Sequence, residues 1–505
     1  MVRSSASVSS TSGILRAASA AVGALGPLAL LSLVCALSSA CSETTPPLAL
    51  DIARPPIILI TLDTTRADRL SCYGYPRRTS PRLDELCTES TVFTQAYSTT
   101  SWTLPAHASL FTGAYTYSHG ARYDVDGPLV LSDVIDHSGA HRYRARGLAP
   151  GTATLASRLA DAGYATAGFV AGPWMKRVFG LDWGFSHWDD SGIDHENGRR
   201  AEALTDAALD WVHSWLRESQ GEQPIFLFLN YYDAHSPYEP PASHRDRFAD
   251  QVGGGGPLPG PGEGVTLEQA NALYDAEIAY ADEHLGRLLD GLRDAGLYEA
   301  AWIVVTADHG DVIGEHGTAG HGRYLWEEEI RVPMIVKRPA TVGAAERQLD
   351  NAAFQLNDVA PLLLSELGLK ALPASGGPRT RSDDAVIAEL YPLPIMFAKG
   401  DWRAFIVGDD KLMWNSRERH KLHDLGKESG EDVDRAATEV GRRDALLKRL
   451  DETLRVFDEF ELSGTGSSGA SGAVDDETRR ALESLGYVDD AASLPEVEPM
   501  DDDGS

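Results

Sequence analysis

Two hydrophobic patterns alternate along the chain. Ile57-Ile58-Leu59-Ile60-Thr61-Leu62, Ile225-Phe226-Leu227-Phe228-Leu229-Asn230, Trp302-Ile303-Val304-Val305-Thr306 and Met334-Ile335-Val336 are apolar runs with no polar face. A strand of that kind is covered on both sides, as in a buried parallel sheet. Between these runs, Leu155 to Gly163, Arg200 to Glu218 and Ala270 to Ala295 carry apolar residues at helical spacing. The alternation predicts an α/β protein with a mainly parallel sheet sandwiched between helices.

Other stretches lack either period. Asp124 to Gly147 reads as a surface insertion near the strand ends, and the Gly- and Pro-rich Gln251 to Gly264 as an exposed loop. Ser463 to Ala473, all Gly, Ser, Ala and Thr, reads as a flexible linker. These boundaries divide the chain into a large domain over 55–380, a smaller C-terminal subdomain over 385–460, and a linker with an acidic tail over 463–505. No internal repeat is visible.

With 505 residues, 43% of them hydrophobic, and 10 Trp, the chain can bury a sizeable core. Its net charge of −30 repels nucleic acid, so an anionic substrate must be met by local cations or a metal. Residues 1–41 read as an export segment: Arg3 and Arg16, an apolar stretch from Ala17 to Leu37, then Leu37-Ser38-Ser39-Ala40-Cys41. A cysteine after small residues resembles a bacterial lipoprotein cleavage site, which would anchor the protein to a membrane through Cys41. A plain cleaved signal or an uncleaved anchor helix are the other readings, and all three place the protein in the cell envelope or outside the cell. Cys72 and Cys87 remain in the mature chain, either as a disulfide or as two buried thiols.

Acids and hydroxyls cluster where strands end. Asp63 follows the first apolar run and Asp308-His309 follows the third, so an open sheet would present all three to one crevice. A hard carboxylate pair with an imidazole suits a divalent metal (Ca²⁺, Mg²⁺, Mn²⁺ or Zn²⁺), and the histidine tilts the choice toward Mn²⁺ or Zn²⁺. Taken alone, Asp63 would be read as a helix cap.

In order along the chain, Leu62-Asp63-Thr64-Thr65-Arg66-Ala67-Asp68, Thr103-Leu104-Pro105-Ala106-His107, His235-Ser236-Pro237-Tyr238, Thr306-Ala307-Asp308-His309-Gly310-Asp311, Gly314-Glu315-His316-Gly317 and Arg331-Val332-Pro333 resemble the sulfatase branch of the alkaline phosphatase superfamily. The resemblance spans roughly residues 55 to 425. It implies a three-layer sulfatase-like α/β fold with a small C-terminal subdomain and a metal held by Asp63, Asp308, His309 and the nucleophile. It implies a sulfated or phosphorylated small molecule, glycan or lipid headgroup as substrate.

Thr103 occupies the nucleophile position, where sulfatases carry the Cys or Ser that becomes formylglycine. A threonine cannot yield that aldehyde, so no formylglycine is expected. Either Thr103 attacks as an alcohol, as in phosphoryl-transferring members of the superfamily, or its hydroxyl is structural. His107 replaces the usual Arg and would contact the oxyanion or cap a helix. His235 matches the residue that protonates the leaving group. Alternatively Asp233, His235 and His321 hold a second metal, as in two-metal phosphodiesterases. His321 stands where sulfatases often carry Lys. Arg66 reads as a structural partner of Asp68, and His316 as a loop-structuring residue. The expected activity is ester hydrolysis; a phosphoryl transferase, or an inactive binding lipoprotein that keeps the fold, are the alternatives.

Overall fold

Eight strands form the main sheet: β1 (Ile57–Leu62), β2 (Thr91–Phe93), β3 (Ala165–Val170), β4 (His187–Asp189), β5 (Ile225–Tyr231), β6 (Trp302–Thr306), β7 (Met334–Lys337) and β8 (Gln348–Asp350). The computed structural model describes residues 54–131, 144–193, 198–251, 264–342, 346–373, 385–391, 400–427 and 430–455, together with Leu258. The export segment, most of the 251–264 loop and the linker with its acidic tail lie outside the described residues. The spatial order is β8-β2-β7-β6-β1-β5-β3-β4. Strands β6, β1, β5, β3 and β4 pair in parallel. The β7 strand runs antiparallel to both its neighbours, a direction its short apolar run could not reveal.

Register places the site. Thr61 on β1 pairs with Thr306 on β6 and with Asn230 on β5. The residues that follow, Asp63 and Asp308, therefore leave the same sheet edge on adjacent strands. Alternate residues of the central strands face opposite layers. Ile57, Leu59, Phe226, Phe228, Trp302 and Val304 pack with the helices α2 (Thr103–Thr112), α3 (Leu155–Asp161) and α6 (Val359–Glu366). The residues between them are equally buried. Across the sheet α4 (Ala201–Ser219) lies on β3 and β5 and packs against the long α5 (Leu267–Asp294).

Capping explains where the helices begin. Thr266 accepts from the Gln269 amide while Gln269 Oε1 accepts from the Thr266 amide, so α5 starts three residues before its apolar periodicity does. At the start of α4, the Asp233 carboxylate accepts from the Ala201 amide at 3.2 Å.

The C-terminal part is a four-stranded antiparallel sheet: Val386–Leu390, Trp402–Val407, Asp410–Asn415 and Lys421–Asp424. One face packs Ile387, Phe405, Leu412 and Leu422 under Leu446, Leu450 and Leu454 of the helix Val440–Arg455. Its other face packs Val386, Ala388, Ile406 and Met413 against Tyr97, Leu325 and Ile330. Between them Lys411, fully buried, bridges Glu327 at 3.1 Å and Glu431 at 2.8 Å. The expected surface insertion is partly regular, with Arg122–Tyr123, Leu129–Val130 and Arg144–Arg146 forming a small sheet that buries Tyr123 and Ala145. Among the described residues of the 251–264 loop, Leu258 is buried rather than exposed. No helix among the described residues is long and apolar enough to cross a membrane.

Asp282 on α5 ties a second helix to the core. Its carboxylate accepts from the Arg82 and Leu83 amides, at 2.8 and 2.9 Å, at the start of Pro81–Cys87. Burial raises its pKa from 3.8 to about 7, against the opposing pull of those amides. A raised folded-state pKa gives stability that is complete below the unfolded value and lost as pH rises through the folded one. Asp282→Ala should cost about 2 kcal/mol by orphaning two buried amides. Thermal melts should show a gap between wild type and variant that is wider at pH 4 than at pH 8.

Candidate active site

Asp63 emerges from the end of β1, its amide still donating to the Tyr231 carbonyl at 2.8 Å. Next to it Thr64 adopts a left-handed φ of +52°, a conformation that strains a β-branched residue by about 1–3 kcal/mol. That turn aims the Thr64 amide at Asp308 Oδ1, 3.2 Å away, and the His309 amide donates to the same oxygen at 2.8 Å. Gly310 follows because no side chain fits: a Cβ there would lie 2.1 Å from the Glu328 carbonyl oxygen.

Asp63, Asp308 and His309 bring their ligand atoms within 4.8 Å of one another, all three fully buried. Asp63 Oδ1 has no hydrogen-bond partner. Asp308 Oδ2 makes no hydrogen bond either, its nearest ring nitrogens being His309 Nε2 at 3.4 Å and His107 Nδ1 at 3.7 Å. Burial, then the neighbouring Asp308, hold the Asp63 carboxyl well above its ordinary pKa. Burial lowers His309 to about 4, leaving a neutral imidazole. Its Nδ1–H donates to the Gly310 carbonyl at 2.8 Å, so the Nε2 lone pair faces the carboxylates. Two orphaned carboxylate oxygens beside a neutral ring nitrogen fit a divalent cation. This chain has the ligand groups for one.

The nucleophile candidate sits against this cluster. Thr103 is the first residue of α2, and its Oγ1 lies 3.2 Å from His309 Nε2. One turn on, His107 Nδ1 donates to the Thr103 carbonyl at 2.9 Å and its Nε2 meets Thr61 Oγ1 at 2.9 Å. Both ring nitrogens are thus spent on the scaffold, and burial lowers the His107 pKa. His107 props the Thr103 helix against β1. Ser101 donates to the Tyr324 carbonyl at 2.7 Å, a structural contact.

His235 and His321 complete a ring of histidines, with centroid separations of 4.9 Å between them and 4.6 Å from His321 to His309. Burial, then the neighbouring His321, lowers His235 to about 3. Its Nδ1–H donates to the Ser236 carbonyl at 2.5 Å, and its ring stacks on Tyr232 at 4.4 Å. His321 Nδ1 lies 3.2 Å from Asp311 Oδ1, whose other oxygen accepts from Tyr238 at 2.6 Å. Asp233 points elsewhere. Besides capping α4 it lies 3.7 Å from Arg200, and it forms no ligand cluster with His235 and His321 among the described residues. The two-metal arrangement therefore finds no support in the geometry. Arg66 pairs with Asp68 at 2.8 Å and Glu315 at 2.7 Å, and His316 lies 3.1 Å from Glu328.

Three further contributors stand around these groups. Asn230, which ends an apolar run, accepts from the Gly172 amide at 3.1 Å and reaches Thr61 Oγ1 at 3.3 Å and Asp63 Oδ2 at 3.4 Å. Thr64 buries a hydroxyl without a partner beside both acids. Asp311 orients His321. Only Asp311 had a sequence signal, its place two residues after His309.

The sequence model of the family described as Sulfatase matches residues 55–369. An Escherichia coli strain K12 protein described as "Uncharacterized sulfatase YidJ" is 22% identical over 479 residues, covering 81% of this chain and 90% of its own. A structure of BT4656 in complex with D-glucosamine-2-N,6-O-disulfate superposes with a TM-score of 0.64 at 18% identity, covering 82% of this chain and all of the other. The phosphonate monoester hydrolase of Agrobacterium radiobacter superposes with a TM-score of 0.60 at 20% identity, covering 80% and 96%. With its motifs gathered at one sheet edge, the chain belongs to the sulfatase family of the alkaline phosphatase superfamily and is a hydrolase of ester bonds.

Proposed function

We propose that the protein is an exported, metal-dependent hydrolase that cleaves sulfate or phosphate esters through a covalent intermediate on Thr103. The observation that carries this reading is the 3.2 Å approach of Thr103 Oγ1 to His309 Nε2, beside two carboxylate oxygens without partners. Asp63, Asp308 and His309, joined by Thr103, would hold the cation, which supplies positive charge for the ester's non-bridging oxygens. Thr103 releases its hydroxyl proton to solvent and its Oγ1 bonds to sulfur or phosphorus as the bond to the leaving oxygen breaks, while His235, protonated when the anionic ester binds, gives that oxygen a proton. An anionic ester beside His235 opposes the burial that lowers its pKa. His321, held by Asp311, faces the same space.

Thr103 decides the second half of the reaction. A hydrated formylglycine expels its ester by breaking its own C–O bond, whereas a threonine ester needs in-line attack by water. That requirement favours phosphate esters, since phosphothreonine intermediates suit in-line attack, and the similarity to a phosphonate monoester hydrolase points the same way. An alcohol in place of water would make the enzyme a transferase. The substrate class is a sulfated or phosphorylated small molecule, glycan or lipid headgroup, in keeping with the disulfated glucosamine bound by BT4656. The compartment is the bacterial cell envelope, reached through residues 1–41, with Cys41 as lipid anchor.

Three expectations test this assignment. Asn230→Ala should weaken Mn²⁺ binding to the metal-free protein by about 10–100-fold in calorimetric titration; unchanged affinity would remove Asn230 from the support of Asp63. His235→Ala should slow esters of poorly activated alcohols by about 10²–10⁴-fold while sparing nitrophenyl esters, and equal losses on both would contradict a proton donor. His107→Ala should instead cost about 3 kcal/mol in denaturant unfolding, through the cavity and the orphaned Thr61 and Thr103 groups.

A further inference from the structure

Away from the site, Cys72 and Cys87 approach each other across a loop whose two ends are independently fixed. Cys72 lies in the short turn Ser71–Tyr73, half-buried, and Cys87 ends the helix Pro81–Cys87, buried. Ser71 Oγ donates to the Asp84 carboxylate at 2.8 Å, and its amide donates to Ser80 Oγ at 3.0 Å. Asp84 and Cys87 stand one helical turn apart, so the Ser71–Asp84 contact sets Cys72 beside Cys87. On the far side of Cys72, Tyr73 is pinned to the sheet, its hydroxyl donating to the Met334 carbonyl at 3.1 Å and accepting from the Met334 amide at 2.7 Å. The Cys87 thiol is within hydrogen-bonding reach of the Cys72 sulfur. Arg347 donates to the Cys72 carbonyl at 2.9 Å, a further contact holding this turn.

We propose that Cys72 and Cys87 form a disulfide in the mature, exported protein, bracing the segment that follows Asp63 against the helix Pro81–Cys87. The geometry brings the two cysteines together: Cys72 follows Ser71, which is bonded to Asp84 one helical turn from Cys87, and precedes Tyr73, which is pinned to the sheet. Both thiols lose a proton, one sulfur–sulfur bond forms, and two electrons pass to a disulfide oxidant that is reduced to two thiols. The compartment that supplies such an oxidant rests on the export reading; the proximity of the sulfurs does not. Closing this loop removes freedom from the unfolded chain and so stabilises the fold. None of the bonded groups belongs to the metal cluster or the histidine ring, so turnover should be the same in both redox states.

The full chain, purified reduced and then incubated folded with oxidised glutathione, tests this without relying on export. A non-reducing digest should yield one peptide pair joined through Cys72 and Cys87, absent from Cys72→Ser. The oxidised protein should melt on the order of 5 °C above the reduced one. Two free thiols, two separate glutathione adducts, or a crosslink that forms only in urea would each overturn the proposal. The wild-type comparison stands even if the Cys72→Ser variant fails to fold.

Discussion

Two adjacent buried carboxyl groups organise this protein. Asp63 and Asp308 are held within 4.8 Å in a fully buried setting, and burial keeps the adjacent His107 and His309 uncharged. Were both acids ionised they would repel by roughly 4 kcal/mol, and with burial this holds the Asp63 carboxyl well above its ordinary pKa. The pairing of β1 with β6 forces the approach, and Thr64 turns through a left-handed conformation to complete it. Most of what surrounds the acids follows from this: amides aimed at Asp308, Asn230 behind Asp63, a glycine where the backbone must pass closest. A divalent cation is the species that relieves such a pair, and Thr103 is delivered to the same point by the first turn of α2.

Four histidines surround the acids, and each does something different. His107 is consumed by the Thr103 carbonyl and Thr61, so it carries architecture. His309 presents a lone pair, its other nitrogen fixed by Gly310. His235 stacks on Tyr232 and faces the leaving side, while His321 is steered by Asp311 and, through it, Tyr238. The rings of His107 and His309, whose pKa values burial lowers, suit a centre whose positive charge comes from an ion. The C-terminal sheet closes the same region, since Lys411 binds Glu327 just beyond the segment that carries Asp311 and His321.

Strands without a polar face were legible because burial on both sides leaves no other pattern, and β1, β5 and β6 lie where their apolar runs predict. Their convergence on Asp63, Asp308 and His309 was readable from the same runs. Direction was not: the apolar residues of β7 look alike whichever way the strand points, and three-residue strands such as β2 and β8 are too short to show a period. Asp233 sits near His235 in sequence, and in the structure its Oδ1 accepts from the amide at the start of α4 and lies near Arg200, contacts no sequence pattern announces. Asn230 was invisible because a polar residue ending an apolar run resembles any strand terminus; only its side-chain contacts reveal the support it gives Asp63.

The most direct test of a threonine nucleophile beside a metal is turnover of an aryl sulfate, an aryl phosphate and an aryl phosphodiester with Mn²⁺, by wild type and by Thr103→Ala. The account predicts turnover of at least one ester by wild type and its loss, by several orders of magnitude, in a variant that still binds Mn²⁺ and melts normally. A Thr103→Ala enzyme as active as wild type would contradict it.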